Sequence, residues 1–320
     1  MNTNPEVKVE PRPRNKPNPK LSPNPNKGKG LLSNKFKRKA VPYILILPAL
    51  LFVVGVLGYA VVAGTVMSLF RVDLNIPGSP FVGLDNYIYL FTTQSFIDSL
   101  LRSLVFVFGS VIIGLTLSMI FALSLYKAKK FGNFFKGLAL IPFLVSGIAT
   151  AIMFRFVFSG DVGIINMILR TMGLEPVLFL SSPNWALFVT ILANVWFVAP
   201  FATLILLAGI QGIDQEMFEA AIVDGANKLT IFGKIILPLI APMMGISLIW
   251  LSFASFNMFD VILPLTGGGP GRATEVMAVY MYNVAFDELK YSLGSAVMVI
   301  ILLFNVITSM LYLKIFKVTE

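Results

Sequence analysis

Residues 219–238 read EAAIVDGANKLTIFGKIILP and lie between two long apolar runs in a chain that is otherwise largely hydrophobic. The stretch is compatible with a helix on either side of Gly225, because glycine relieves backbone and packing constraints. Pro238 is favourable in the first turn of a following helix. The pattern therefore predicts a helix–glycine–helix segment at a membrane surface. Taken alone, it is also what an isolated interfacial hairpin would show.

The composition identifies the solvent in which this chain folds. Hydrophobic residues make up 57% of the sequence, charged residues 13%, and the mean hydropathy is +0.83. Soluble domains carry about 25% charged residues. The low charged fraction of this chain therefore predicts an integral membrane protein.

Six apolar runs are long enough to cross a bilayer, because a hydrocarbon core of about 30 Å needs roughly 20 apolar residues per helix. Strands of a membrane barrel would instead alternate over about ten residues, and these runs are continuous. The sequence thus predicts an all-α integral membrane protein with six transmembrane helices. Their approximate bounds are 41–70, 103–126, 137–158, 185–207, 239–259 and 292–313.

The basic residues predict the orientation, because Lys and Arg are enriched in cytoplasmic loops. Of the 25 Lys and Arg residues, 19 lie in the amino-terminal tail, in residues 127–136 and 208–238, or at the carboxyl end, and 6 lie in the remainder. Both termini and the segment around Glu219 are therefore predicted to be cytoplasmic.

Residues 1–40 are predicted to be a disordered basic cytoplasmic tail. They hold 11 basic and 2 acidic residues, with repeated Asn, Pro and Lys and few large apolar side chains that could form a core. A cleaved signal is not expected, since the following run is long enough to span and lacks a small-residue cleavage site. The tail favours contact with anionic membrane lipid. Nucleic-acid binding is disfavoured, because no folded reader accompanies the charge.

The chain contains no Cys and no His. Disulfides, zinc clusters, thiol nucleophiles and imidazole bases are therefore excluded, and we expect neither an enzyme nor a bound metal or cofactor. The dipeptide Gly233-Lys234 precedes Ile235 and lacks the earlier glycine of a phosphate loop, so any ATP must be bound by a partner. The glycine-rich residues 266–271 are expected to form a tight outer turn rather than a phosphate cradle.

Charged residues are absent from the central parts of all six predicted spans, and Arg155 and Asp260 lie near outer ends. Ionisable groups inside a membrane mark ion and proton pathways. A proton- or sodium-coupled carrier and a stand-alone channel are therefore disfavoured, and a neutral substrate is expected.

Two helical faces near the middle of the membrane carry weakly polar and aromatic residues at positions i, i+3, i+4 and i+7. Facing each other, they would form a cavity with hydrogen-bonding groups and aromatic planes, which suits a neutral sugar. Such stripes also simply pack helices together. The residues are Asn194, Phe197, Val198 and Phe201 in the fourth span and Leu251, Ala254, Ser255 and Met258 in the fifth.

The coupling segment carries a family resemblance. Glu219-Ala220-Ala221, then Gly225 after three intervening residues, and then Ile235 and Leu237-Pro238 resemble the coupling-loop signature of permease subunits in binding-protein-dependent ABC importers. Residues 81–87, 256–260 and 265–270, followed by Thr274, Tyr280, Tyr282 and Phe286, look like the carbohydrate, maltose-type branch of that family.

The resemblance implies the type I ABC importer permease fold for residues 41–320, with a coupling loop at about 211–238, in a prokaryotic cell membrane. It implies a second permease, most simply as a heterodimer, two cytoplasmic ATPase subunits and an extracellular solute-binding protein. A short helix from about residue 215 to 227 would seat in the ATPase as a lever. Its coupling residues would be Glu219 for a charged contact, Ala220 and Ala221 for close approach, Asp224, and Gly225 for the bend.

The resemblance also maps the family's sugar-lining positions onto the two faces described above, where only Asn194 keeps an evident polar match. It therefore implies import of a sugar or related polyol without naming the sugar. An importer subunit for another neutral solute, such as a peptide or compatible solute, remains the alternative, followed by a stand-alone channel or membrane enzyme.

Deletion of residues 2–30 is expected to leave insertion, topology and transport unchanged, because four basic residues between positions 35 and 39 still flank the first span. Accessibility of a carboxyl-terminal tag in intact and permeabilised cells measures the topology. Loss of transport at normal membrane levels and topology would instead reveal a specific partner for the tail.

Overall fold

A computed structural model describes residues 42–73, 78–128, 132–160 and 162–316, apart from the side chain of Asn133, so the tail predicted for residues 1–40 lies outside it. These ranges contain no β-strand, only an isolated antiparallel bridge between Phe70 and Phe81. The helices are α1 (Pro42–Met67), α2 (Asp85–Thr92), α3 (Gln94–Lys127), α4 (Gly132–Leu144), α5 (Gly147–Val157), α6 (Ile164–Thr171), α7 (Pro183–Gln211), α8 (Gln215–Val223), α9 (Lys228–Leu239), α10 (Ala241–Phe256), α11 (Ile262–Thr266), α12 (Met277–Tyr282, continued by a π-helical turn at Asn283–Asp287) and α13 (Tyr291–Ile315).

Four of the described helices, α1, α3, α7 and α13, are long and apolar enough to cross a membrane. Two bent pairs, α4 with α5 and α9 with α10, raise the number of spans to as many as six if each pair counts as one. The count agrees with the sequence, but two of the six are not the continuous helices that it predicts.

The third predicted span, 137–158, is broken between α4 and α5, whose axes differ by 93°. Pro142 lies in the last turn of α4, where it lacks an N–H and weakens the helix. Ser146 then caps a new helix, since its hydroxyl accepts a hydrogen bond from the backbone N–H of Ala149 at 3.2 Å. These two local signals outweigh the hydrophobic periodicity that predicts one straight span.

The fifth predicted span, 239–259, also differs from the structure. The chain bends by 73° between α9 and α10, on either side of Ile240. Pro242 lies in the first turn of α10, where a backbone N–H has no helical partner, so the N–H that proline lacks costs no hydrogen bond. The crossing helix therefore begins at Ala241 and ends at Phe256.

The main core lies where α3, α7 and α10 meet. Glycines bring these helices close: a Cβ added to Gly109 would lie 3.1 Å from the Ile191 side chain, and one added to Gly114 would lie 3.1 Å from Leu251. Between membrane helices such close approach replaces the hydrophobic driving force. Hydrogen bonds add to it, because the Trp250 indole N–H on α10 donates to the Val198 carbonyl on α7 at 3.0 Å.

A second cluster joins α3, α7 and α9 at the opposite end of the long helices. It is fully apolar and anchors the segment that precedes α10. Its buried members are Met119, Ala122 and Leu125 of α3, Leu206, Leu207 and Ile210 of α7, and Ile236 and Ile240. The cluster fixes where residues 211–240 sit.

Gly147→Ala is expected to lower the thermal stability of the purified protein by several degrees, because the new Cβ would meet the Asp260 carboxylate oxygen at 2.0 Å. Overpacking of this kind costs about 1–3 kcal/mol. Gly137→Ala is the matched control, since nothing lies within 4 Å of its added Cβ. Equal melting temperatures for the two variants in detergent would contradict the close contact.

Candidate functional site

The segment 214–240 forms two short helices joined by a glycine turn. Gly225 adopts a left-handed backbone conformation with φ of 76°, and the Ala226 N–H donates to the Ala221 carbonyl at 2.9 Å, which closes α8. Asn227 then starts α9, because its side-chain oxygen accepts from the Thr230 N–H at 2.8 Å. The helix–glycine–helix prediction is confirmed, with the first helix ending at Val223 rather than near residue 227.

The inner face of α8 packs on its own subunit. The Phe218 ring lies 6.1 Å from that of Tyr126, near the end of α3, and Ala221 one turn later is buried. The resemblance assigned Ala221 to close approach of the ATPase. The structure turns this side chain toward its own subunit, because it shares the helical face of Phe218, and its part in ATPase contact stays a prediction.

The outer face of α8 and the turn after it are exposed, and they hold the other four predicted coupling residues: Glu219, Ala220, Asp224 and Gly225. Apolar side chains that the sequence reasoning missed accompany them, including Val223 at 87% exposure and Leu229 at 81%. Exposed apolar patches with a polar rim mark sites of protein contact. The sequence contained a signal for this apolar surface, because Val223 and Leu229 lie within four residues of Gly225 on either side.

The two predicted faces of α7 and α10 meet at a buried amide. The Asn194 side-chain nitrogen donates to the Ser255 hydroxyl at 2.8 Å and to the Ser110 hydroxyl of α3 at 2.9 Å. The Asn194 side-chain oxygen is also buried and has no hydrogen-bond partner among the described residues. One polar side chain thus bridges three helices and keeps a free acceptor.

Within these two faces the residues differ in exposure. Partly exposed are Phe197, Phe201 and Ala254, and buried are Asn194, Val198, Leu251, Ser255 and Met258. The buried ones pack inside the subunit in this conformation, and a substrate would reach them only after helix movement. Their role in substrate contact stays a prediction.

Aromatic rings surround the exposed part of this face. Phe201 lies 4.5 Å from the Trp250 ring and 5.4 Å from that of Phe143, and Phe197 lies 6.5 Å from Phe143. Phe143 and Trp250 were not predicted, because Phe143 comes from α4, beside the unpredicted break. The four rings give this surface flat apolar planes next to the buried amide.

The glycine-rich residues after α11 form the predicted tight turn. Gly267 ends α11 in the left-handed conformation, with φ of 62°. The Thr266 and Thr274 hydroxyls lie 2.7 Å apart, and Thr274 also donates to the Gly269 carbonyl at 2.8 Å. The turn is therefore rigid and internally bonded.

A buried carboxylate ties this turn to the helices. Glu275 accepts hydrogen bonds from the Asn283 amide at 3.0 Å, from the Ser99 hydroxyl at 3.5 Å and from Arg272. The bond to Glu275 raises the pKa of Arg272, and burial raises the pKa of Tyr280, whose ring lies beneath the guanidinium. Within the described ranges, no group of three or more Asp or Glu side chains could hold a metal ion.

The sequence matches a known family over most of its length. The pattern of the family described as "Binding-protein-dependent transport system inner membrane component" covers residues 114–317. The chain is 34% identical to the trehalose/maltose transport system permease protein MalF of Thermococcus litoralis over 281 residues, which is 88% of this chain and 95% of MalF. It is 32% identical to the sn-glycerol-3-phosphate transport system permease protein UgpA of Escherichia coli O157:H7, over 85% of this chain and 92% of UgpA.

The fold also matches solved structures. A subunit of a bacterial ABC transporter involved in the import of the acidic polysaccharide alginate superposes with a TM-score of 0.75, covering 90% of this chain and 99% of the other at 23% identity. The all-helical fold of the chain is therefore that of the type I ABC importer permeases.

Proposed function

Because the chain belongs to the family of binding-protein-dependent transport system inner membrane components, we propose that it is the permease subunit of an ATP-driven ABC importer for a sugar or related polyol. As a member of this family it is a multi-pass membrane transport protein. The substrate class is inferred from the MalF and UgpA relatives, which the chain covers almost completely.

The exposed outer face of α8 carries the proposal. An apolar surface with acidic neighbours, on a helix held in place by Phe218 and Ala221, suits a protein partner better than solvent or lipid. The basic residues of the sequence favour a cytoplasmic position for this surface. The partner would then be one of two ATPase subunits, which bind the ATP, and the chain itself needs no cofactor.

The complete importer would contain a second permease, which makes a heterodimer, and an extracellular binding protein that delivers the sugar. Both termini would lie in the cytoplasm of a prokaryotic cell. Closure of the ATPases would push on α8, and the apolar cluster at Ile236 and Ile240 would pass this motion to α3 and α7. The spans would then rock between outward- and inward-facing states.

A phosphorylated polyol is the second candidate cargo, and the similarity to UgpA favours it. ATP hydrolysis by the reconstituted importer, with its cognate binding protein present, distinguishes the two cargoes. The rate is measured with maltose, trehalose, glucuronate or glycerol 3-phosphate. Stimulation by one of the sugars supports the proposal, and stimulation by glycerol 3-phosphate alone supports the second candidate. A rate of ATP hydrolysis that stays the same with every solute, and with or without the binding protein, would overturn both candidate cargoes.

Glu219→Lys and Gly225→Asp are expected to leave the subunit inserted but to abolish sugar uptake. Reversal of a charge that becomes desolvated in a complex costs roughly 2–5 kcal/mol of binding free energy. Aspartate at position 225 is strained by the left-handed backbone and adds a charge to the contact. Co-purification of the ATPase with each variant, together with uptake in cells, measures the effect.

Glu175→Lys is the matched control for this prediction, because Glu175 is an exposed carboxylate in the segment between α6 and α7, outside the α8 surface. It is expected to retain most of the co-purification and uptake. Normal uptake by both Glu219→Lys and Gly225→Asp would contradict the coupling role of α8.

Asn194→Ala is expected to lower sugar-stimulated ATP hydrolysis severalfold at normal yield, since a lost hydrogen bond to a buried polar ligand costs roughly 1–3 kcal/mol. Yield should hold, because Ser255 keeps its bond to the Leu251 carbonyl at 2.7 Å. Ser255→Ala should act similarly but more mildly, and Ser255→Trp should block the path.

Asn305→Ala controls for loss of a buried amide elsewhere, because Asn305 is buried in α13 and is not one of the residues of the two faces. It should leave the stimulation unchanged. Full yield with unchanged stimulation in both Asn194→Ala and Phe201→Ala would remove this face from the substrate path.

A further inference from the structure

A cavity of about 470 Å³ opens beside the first turn of α7. The predicted orientation places this end of α7 outside the cell. The volume of the cavity lies within the range of about 300–1,000 Å³ typical of small-molecule sites. Three elements form it: α3, the start of α7 and the glycine turn after α11. The residues that matter for binding are Arg102, Ser181, Asn184, Leu187, Pro270 and Gly271.

Arg102 gives this cavity an unused donor. One terminal guanidinium nitrogen, Nη2, lies 3.6 Å from the Asp98 carboxylate, whereas the other, Nη1, is buried and has no hydrogen-bond partner in the described chain. A charged N–H left in that state is unfavourable and gains free energy when an acceptor arrives. Because the side chain is 26% exposed and lines the cavity, an oxygen atom bound there could reach the guanidinium.

The other lining groups suit an oxygen-rich ligand. Ser181 and Asn184 add a hydroxyl and an amide, and both are exposed. The wall at Pro270 and Gly271 belongs to the turn that Thr266, Thr274 and Glu275 hold rigid. A ligand would therefore meet several hydrogen-bonding groups together with the apolar side chain of Leu187.

The cavity lies in line with the buried amide at Asn194. Leu187 and Asn194 are seven residues apart on α7, so they share a helical face at a separation of about 10 Å. On α3, Ser110, which accepts the hydrogen bond of Asn194, comes eight residues after Arg102, about 12 Å farther along the helix. Along the two helices, the buried residues Phe106 of α3 and Thr190 of α7 come between the cavity and the Asn194 amide. A molecule in the cavity thus sits two helical turns outward of the polar bridge.

We infer that this cavity is an entrance subsite that receives the sugar before the spans open, with Arg102 as a specificity-determining donor to a hydroxyl or carboxylate oxygen. The inference rests on the proposed function and deepens it, because it adds a second contact site for the same substrate. Neutral and acidic sugars both offer oxygen acceptors. The responses to maltose and to glucuronate distinguish these two classes of sugar.

Thiol labelling tests occupancy directly, because the chain contains no Cys. Ser181→Cys places a thiol in the cavity, and Ser182→Cys, the next residue, places one outside its lining. Each assembled importer is trapped with ATP and vanadate, with the binding protein docked, and labelled with a membrane-impermeant thiol reagent. The probe is maltose, trehalose or glucuronate, whichever stimulates ATP hydrolysis of the unsubstituted importer, and one arm has no sugar.

At least fivefold slower labelling of Ser181→Cys with sugar, and no sugar effect at Ser182→Cys, is the expected result. Labelling of Ser181→Cys at the same rate with and without sugar would overturn the inference. Because the unsubstituted importer must first respond to a sugar, failure of the proposed function appears before this step.

Substitution of Arg102 tests its role as a donor. Arg102→Gln is expected to reduce sugar-stimulated hydrolysis at least fivefold, and Arg102→Lys to recover part of it because a cationic donor remains. Asp98→Asn, which removes only the ion pair, should stay within twofold of the unsubstituted importer. A loss in Asp98→Asn as large as in Arg102→Gln would show that the pair is structural and would contradict the role of Arg102. A larger response to glucuronate than to maltose would identify the acceptor as a carboxylate.

Discussion

The attachment of α8 to the ends of α3 and α7 is the constraint on which the rest depends. Phe218 and Ala221 face the subunit, and the apolar cluster that includes Leu206 and Ile236 continues this contact into α9. Protein interiors pack densely and transmit displacement rather than absorb it. A displacement of α8 would therefore pass to the long helices rather than be absorbed locally.

The same long helices carry the polar groups that such motion would rearrange. Asn194 joins α3, α7 and α10 through two hydroxyls, and its side-chain oxygen has no hydrogen-bond partner among the described residues. In a medium of low dielectric constant, a half-satisfied amide is a costly arrangement that a bound hydroxyl could complete. Asn194 can therefore be buried between helices in one state of the protein and contact substrate in another.

Much of this fold could be read from the sequence, because membrane helices must be long and apolar and Gly225 stands where a left-handed turn is required. The bend at Val145 could not, since hydropathy is the same for a straight and a broken helix; only Pro142 and Ser146 signalled it. Spacing placed Asn194 and Phe201 on one face, but it could not name the neighbours that this face meets, such as Ser110. Likewise, Ala221 faces inward because of Phe218, a tertiary contact that no local pattern contains.

Rigid attachment of α8 is the central claim, and a distance between spin labels tests it most directly. Labels at Gln215→Cys on α8 and Ser124→Cys near the end of α3 report whether the two helices move together in the assembled importer. We expect the same mean distance without nucleotide and after trapping with ATP and vanadate, in a preparation whose sugar-stimulated hydrolysis shows that it cycles. A shift of about 5 Å, one helical turn, would show that α8 slides over the core and would contradict its role as a lever.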